Sequence, residues 1–325
     1  MAGKQVSGTG EAADGVATRQ LRLGTRASAL ARWQTEWVAD RLREQGVSVE
    51  LVLVTTRGDA SSRPLGEIGG EGVFTKEIQE ALRDRRVDVA VHSLKDLPTV
   101  GVPGLMLAAV PERESNQDAL ICRKAGDLRG LARAARVGTG SLRRRAQLLY
   151  HRPDLVVVDI RGNVETRLGK LDTGEVDALV LAEAGLRRLR FQTRITQVLP
   201  RAVMMPTVGQ GALGLEIRVG EPEVLAALAS LNHGPSFRAV VAERAFLATL
   251  RAGCLAPVGA WAREQDGRLL LDGVVLSPGG ERRLAVAVAG LPAAPQELGV
   301  QAAERLIGLG AERLIAAAHR PASGS

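Results

Sequence analysis

Three short stretches of this 325-residue sequence carry side chains suited to chemistry. The first, His92-Ser-Leu-Lys-Asp-Leu-Pro98, closes a short apolar run, Val87 to His92, that reads as a buried strand. Open α/β sheets place their working groups at the carboxyl ends of strands. Asp96 offers a carboxylate there that can steady a developing cation or shuttle a proton, with Lys95 beside it. Asp-Leu-Pro also suits a plain turn, so the local sequence leaves both readings open.

The second stretch, Gly138-Thr-Gly-Ser-Leu-Arg-Arg-Arg145, reads as a strand end passing through a glycine turn into a helix. The first turn of a helix presents free N–H groups and a positive dipole end, so anions bind there readily. Arg143, Arg144 and Arg145 add guanidinium forks that grip carboxylates or phosphates. Arg161-Gly-Asn163 with Arg167 repeats the arrangement after the next predicted strand, which favours an anion site over a merely solvated basic face. The third stretch is Arg251-Ala-Gly-Cys-Leu-Ala-Pro257, where glycine and proline mark a loop and leave the Cys254 thiol accessible. Cys122, by contrast, ends an apolar strand and reads as a small buried hydrophobe. A lone loop cysteine is more often inert than reactive, so Cys254 needs support from elsewhere.

Other matches fail on context. Gly209-Gln-Gly-Ala-Leu-Gly214 fits GxGxxG, but Leu215-Glu-Ile-Arg-Val219 after it alternates like a strand where a dinucleotide site needs a helix. The four histidines show no metal-ligand spacing with each other or with the cysteines, so no metal is expected.

The elements that must position these groups follow from periodicity. Gln20 to Gly24 reads as a strand, Ser28 as the cap of a helix carrying Leu30, Trp33, Trp37, Val38 and Leu42, and Val49 to Thr55 as a second strand. A helix from Thr75 to Arg85 and the strand Val87 to His92 complete the first unit. A second unit repeats the alternation, with strands at Ala119–Cys122, Arg136–Gly138, Leu155–Ile160 and Ala178–Ala182 and helices at Ser141–Tyr150 and Val164–Asp172. Crossings between the units fit at Val110–Asn116 and Leu199–Pro206. The last third has a helix at Ser236–Leu250, three meander strands and two helices ending near His319. The fold class expected is α/β, two doubly wound lobes with a small C-terminal α+β domain. Its boundaries are a disordered leader (residues 1–19), lobe one (20–111 and 212–230), lobe two (112–211) and the third domain (231–325).

Between Cys122 and Arg201 stand seventeen Lys and Arg against eight Asp and Glu, leaving 26 basic and 28 acidic residues for the remainder. All of the net charge of +7 therefore originates in the middle of the chain, which points to a local anion site. No apolar run approaches the ~20 residues of a membrane span, and two cysteines without an export signal suit a reducing, cytoplasmic setting.

In this order, the stretches resemble the hydroxymethylbilane synthase (porphobilinogen deaminase) family. The resemblance is carried by Gly24-Thr-Arg-Ala-Ser-Ala-Leu-Ala31, Thr56-Arg-Gly-Asp59, Gly72-Val-Phe-Thr-Lys76, His92 to Pro98, Ser141-Leu-Arg-Arg144, Arg161-Gly-Asn163, Val208-Gly-Gln-Gly-Ala212, and Ala242-Glu-Arg-Ala245 with Gly253-Cys254. It implies polymerisation of four porphobilinogen molecules with release of ammonia, a dipyrromethane primer held on Cys254 through a thioether, and lobes resembling type II periplasmic binding proteins. It further implies Asp96 as catalytic carboxylate; Asp96 again, with Lys95, Ser141, Arg143 and Arg144, as holders of the primer; and Arg26, Ser28, Phe74, Arg161, Arg167 and Gln210 as substrate contacts. A monomer acting on a small molecule, with no nucleic acid or membrane partner, is the matching expectation. The chain departs from many relatives at Glu67 and Glu71, where they carry lysines, and at Gly140, where they commonly carry serine.

Two other functions fit part of the sequence. A non-catalytic two-lobe anion binder accounts for the arginines but gives Asp96 and an accessible Cys254 no task. A nucleic-acid binder accounts for the basic segment but lacks stacking groups, since Tyr150 and Phe191 are its only Phe, Tyr or Trp side chains.

Overall fold

A computed structural model describes residues 20–55, 75–124, 126–253 and 256–319. In chain order the first elements are β1 (Leu21–Thr25), α1 (Ala29–Arg43), β2 (Val49–Leu53), α2 (Lys76–Arg83), β3 (Val89–Ser93) and β4 (Leu105–Ala109). Then follow β5 (Asp118–Cys122), β6 (Arg136–Gly138), α3 (Leu142–His151), β7 (Val156–Val158), α4 (Val164–Asp172), β8 (Ala178–Ala182), α5 (Glu183–Arg188) and β9 (Gln197–Val198). The chain continues through β10 (Leu213–Arg218), α6 (Pro222–Ala229), α7 (Gly234–Thr249), β11 (Val258–Gln265), β12 (Arg268–Leu276), β13 (Arg283–Gly290), α8 (Pro295–Gly308) and α9 (Ala311–His319).

Local chemistry sets the helix starts. The Ser28, Ser141 and Asn163 side-chain oxygens accept the N–H groups of Ala31, Arg144 and Thr166, satisfying donors that the first turn of a helix leaves free. Leu23, Val38, Leu42 and Leu215 are fully buried between sheet and helix, each contributing about 1.5–3 kcal/mol.

The two larger sheets share one plan. The first has strand order β2-β1-β3-β10-β4, with β1 parallel to β2 and β3, and β10 antiparallel to β3 and β4. The second has order β7-β6-β8-β5-β9, with β6 parallel to β7 and β8, and β5 antiparallel to β8 and β9. In each sheet the antiparallel strand is the one that a crossing delivers: β5 arrives from the first sheet and β10 returns from the second. An antiparallel strand begins at the edge where its parallel neighbours end. Leu213 therefore pairs with Ser93, next to the Asp96 turn, and Asp118 pairs with Ala182. Both crossings and both sets of strand ends lie along the same edges.

The third sheet, β11-β12-β13, is an antiparallel meander packed under α7, α8 and α9 around Phe246, Leu271 and Leu306. It is tied to both crossings. Fully buried Glu243 on α7 accepts from Arg113 at 2.7 Å, from Gly209 N–H at 2.8 Å and from Ala262 N–H at 2.9 Å. Arg201 and Arg263 both stack on Trp261, each guanidinium 3.8 Å from the ring centroid.

The α/β plan with a small C-terminal unit is the one expected, but several details differ. β4, α5, β9 and α6 have no counterpart among the expected elements. Trp33, expected on the apolar face of α1, is 37% exposed and has the Arg188 guanidinium 5.9 Å from its ring, because that face of α1 meets α5 of the second lobe. Gly209-Gln-Gly-Ala-Leu-Gly214 opens β10 and no helix. Its glycines serve close packing: Gly211 has φ +83°, and a Cβ there would lie 2.6 Å from the Ser115 carbonyl oxygen. Cys122 is half-buried against the second-lobe core, and burial pushes its thiol up to about 11, as suits an inert cysteine.

Candidate active site

β3 runs directly into a 3-10 turn, Leu94–Asp96, which sets Lys95 and Asp96 at the sheet's edge. Both side chains are half-buried. Asp96 shares a small cavity with Arg26, Gln34, Thr75, His92 and Ser93, so β1's end, α1 and the β3 turn converge on one recess. Behind it, His92 Nε2 lies 3.0 Å from Glu216 Oε2, and Gln79 donates to both oxygens of that carboxylate.

Lys95 faces the other lobe. Burial pushes its ammonium down to about 8; Asp96 and Asp118 oppose that shift, while Arg144 and Arg143 reinforce it. The lysine of one sheet and the arginines of the other therefore share one field. Arg143 and Arg144, at the start of α3, are 4% and 6% exposed and converge on Asp118, which is fully buried. Arg144 Nε donates to Asp118 Oδ1 at 2.9 Å, and Arg144 Nη2 is 2.7 Å from the same oxygen. Arg143 Nη1 lies 2.8 Å from Oδ2 and donates to the Met205 carbonyl at 2.5 Å. Burial alone would raise the Asp118 pKa, yet the two guanidiniums outweigh it and hold the carboxyl below its ordinary range. Among the described residues, three buried atoms here have no hydrogen-bond partner: Arg143 Nε, Asp118 Oδ2 and Gln210 Oε1. Orphaned buried polar atoms are rare, and a bound water, ion or ligand can satisfy them.

The positive field continues past Arg144. Arg167, with Nε on the Gly162 carbonyl at 2.7 Å, has its pKa pushed down to about 10 by burial and by Arg144 and Arg161. Arg161 is held by Asp159 at 3.1 Å. Like-charged groups crowded in this way bind anions, because an incoming carboxylate relieves their repulsion.

The structure thus brings together Arg26, Lys95 and Asp96 from the first sheet and Arg143, Arg144, Arg161 and Arg167 from the second. Ser28 and Ser141 sit at the starts of α1 and α3 with their oxygens engaged as caps. Gln210 is fully buried, its amide donating to the Asn116 carbonyl at 2.7 Å and to Asp118 at 3.1 Å, so it braces the crossings beneath the site. Arg145 does not join the cluster: it turns to the surface and donates to the Val157 carbonyl. Cys254 and Phe74, with Glu67 and Glu71, lie outside the described residues.

Sequence reasoning missed Asp118, Arg188 and Gln34. Asp118 carried a usable signal, as an acidic residue opening an apolar strand just before the segment rich in arginine. Arg188 is nearly buried, donates to the Gly211 carbonyl, and has its pKa pushed down to about 10 by burial.

The chain is similar to known proteins along most of its length. Residues 21–226 match the family model "Porphobilinogen deaminase, dipyromethane cofactor binding domain", and residues 237–308 match "Porphobilinogen deaminase, C-terminal domain". A porphobilinogen deaminase of Syntrophotalea carbinolica is 46% identical over 300 residues, covering 91% of this chain and 95% of that protein. Those of Desulforudis audaxviator and Thermus thermophilus are 47% and 46% identical, covering 92% of this chain in both cases and 97% and 99% of the relatives. Among solved structures, a nutrient-binding protein of Burkholderia cenocepacia bound to methionine is 14% identical with a TM-score of 0.42, covering 64% of this chain and 90% of that one. With both family domains matched in order and relatives aligned along more than nine-tenths of its length, the chain belongs to the porphobilinogen deaminase family.

Proposed function

We propose that the recess between the Asp96 turn and the Arg143–Arg144 cluster is where this enzyme joins porphobilinogen units, with Asp96 as the catalytic carboxylate. The observation that carries the reading is the placement of Lys95, beside Asp96 on one turn of the first sheet, within the field of Arg143, Arg144 and Asp118 from the second. Each pyrrole of the growing chain bears two carboxylates, and a polyanion of that kind needs several fixed cations. Charge-assisted bonds to such groups contribute about 1.5–3 kcal/mol each.

The dipyrromethane cofactor fits this set of residues. Arg143 Nε is a buried donor lacking an acceptor, and Gln210 Oε1 is a buried acceptor suited to an N–H group. Lys95, Ser141, Arg143 and Arg144 would hold its carboxylates, and Cys254 would bind it through a thioether. When bound, the cofactor supplies the nucleophilic pyrrole carbon to which the first substrate is joined. Arg26, Ser28, Phe74, Arg161 and Arg167 would take the substrate's acetate and propionate groups and its ring, while Gln210 steadies the wall beneath. Asp96 accepts the pyrrole N–H and stabilises the cation that forms as ammonia leaves the aminomethyl carbon. The half-burial of Asp96 strengthens this electrostatic effect by limiting the screening of its charge by water.

The division into residues 20–111 with 212–230, 112–211 and 231–325 is part of the same reading, supported by the three separate sheets. So are a monomeric state, a cytoplasmic location and the lack of nucleic-acid or membrane partners; among the described residues no helix is long and apolar enough to cross a membrane.

The test is ammonia release from porphobilinogen by the parent and by Asp96→Asn. A loss of roughly 10²–10⁴-fold is expected in a variant that loads cofactor and unfolds at the parent's temperature. Parental turnover by Asp96→Asn removes that carboxylate from the chemistry.

A further inference from the structure

The turn carrying Lys95 and Asp96 is gripped from behind by two consecutive residues of α7. Arg244 Nη1 donates to the Leu97 carbonyl at 2.9 Å, and Nη2 donates to the Pro98 carbonyl at 2.6 Å. Glu243 accepts the Gly209 N–H at 2.8 Å. Gly209, at φ +70°, is pressed against the entry of the same turn: a Cβ there would lie 3.2 Å from the Leu94 carbonyl carbon and the Lys95 nitrogen. The turn is thus held at its exit by Arg244 and backed at its entry by Gly209, and one helix anchors both. Leu94, Leu97 and Val240 fill the space between.

The choice of residue is informative. Burial lowers the Arg244 pKa and Glu216 opposes that shift, yet the guanidinium spends both of these hydrogen bonds on neutral carbonyls. Desolvating a charge for neutral partners costs stability that a simple packing contact would not. What the fork supplies is geometry, since two donors in one plane fix both the position and the orientation of the backbone they hold. α7 ends at Thr249, and the chain then enters the Arg251–Pro257 segment with Cys254.

We propose that Arg244 is a positioning residue of the condensation, which fixes the Asp96 turn through the Leu97 and Pro98 carbonyls. This role rests on Asp96 being the catalytic carboxylate. Misplacing a reacting group by about 1 Å costs on the order of 10²-fold in rate.

The experiment compares Arg244→Gln, Arg244→Lys and Asp96→Asn as holoenzymes. Intact mass reports cofactor loading, thermal unfolding reports the fold, and ammonia release gives kcat and KM. Loaded, folded Arg244→Gln is expected to lose roughly 10- to 100-fold in kcat with KM changed by less than about threefold. Arg244→Lys, with a point charge in place of the fork, should fall between it and the parent. A purely structural role would lower the unfolding temperature and leave kcat of the folded, loaded enzyme untouched. Parental kcat in loaded Arg244→Gln overturns the proposal, as does parental kcat in Arg244→Lys if the Gln variant does not fold. Should Asp96→Asn keep parental kcat, it is the assignment of Asp96 that fails, and Arg244 has no catalytic turn to position.

Discussion

Replacing Asp118 by Asn keeps the shape of the side chain and removes its charge. In the parent, the fully buried Oδ1 accepts from Arg144 Nε at 2.9 Å and Gln210 Nε2 at 3.1 Å, with Arg144 Nη2 at 2.7 Å, while Arg143 Nη1 lies 2.8 Å from Oδ2. The variant leaves two guanidiniums in a nearly dry setting with no formal countercharge. Breaking a buried ion pair in this way costs about 3–5 kcal/mol. For a chain of this length, at roughly 2 °C per kcal/mol, the unfolding temperature should fall by about 6–10 °C. The cofactor's carboxylates would restore part of the missing negative charge, so the fall should be smaller in loaded enzyme than in a Cys254→Ser background. Thermal unfolding followed by circular dichroism in both backgrounds measures this. Removing the cluster together, as Asp118→Leu with Arg144→Met, should recover much of the loss, because fewer charges are then left uncompensated. An Asp118→Asn protein that unfolds within about 2 °C of its parent in the Cys254→Ser background would refute the reasoning, as would an equal fall with and without cofactor.

Lys95, with its pKa pushed down to about 8 by burial, carries its charge below that pH and loses it above. Cofactor assembly by the apoenzyme should therefore slow as pH climbs through about 8, and Lys95→Arg should abolish that step; superimposable profiles would exclude Lys95 from holding the cofactor's carboxylates. The same shift acts on stability with a definite sign. Below about 8 both states hold the proton and the cost of burying the charge is fully present; between about 8 and the ordinary 10.5 only the unfolded chain holds it, so this group's contribution to stability rises with pH. Arg143→Leu and Arg144→Leu should slow cofactor assembly or chain elongation, read from the mass distribution of enzyme mixed with limiting porphobilinogen; a parental distribution in both variants would mean that their charge serves only Asp118.

Much of the positioning frame was legible because it is local. Ser28, Ser141 and Asn163 each precede an apolar repeat of helical period, and each caps a helix in the structure. The Asp96 turn could be placed because a short apolar run leads straight into it. What escaped depends on sheet order. Asp118 meets Arg143 and Arg144 only because β5 enters its sheet antiparallel, which puts its first residue at the edge where α3 begins. Nothing within a few residues of Asp118 announces that insertion. Arg145 was grouped with its two neighbours, but successive helical residues point in different directions, and the third arginine leaves the cluster. The helix bearing Arg188 has six residues, too few for a periodic signal, and β4 is a short apolar run without alternation.

On the proposed mechanism this chain carries a dipyrromethane on Cys254 as the primer of its own reaction. Intact mass of the purified protein beside that of Cys254→Ser reads this directly. The parent should exceed its polypeptide mass by two linked pyrrole units and gain further single units with limiting porphobilinogen, and Cys254→Ser should do neither. A parent at the bare polypeptide mass, or a Cys254→Ser protein that still holds the two pyrroles, would contradict it.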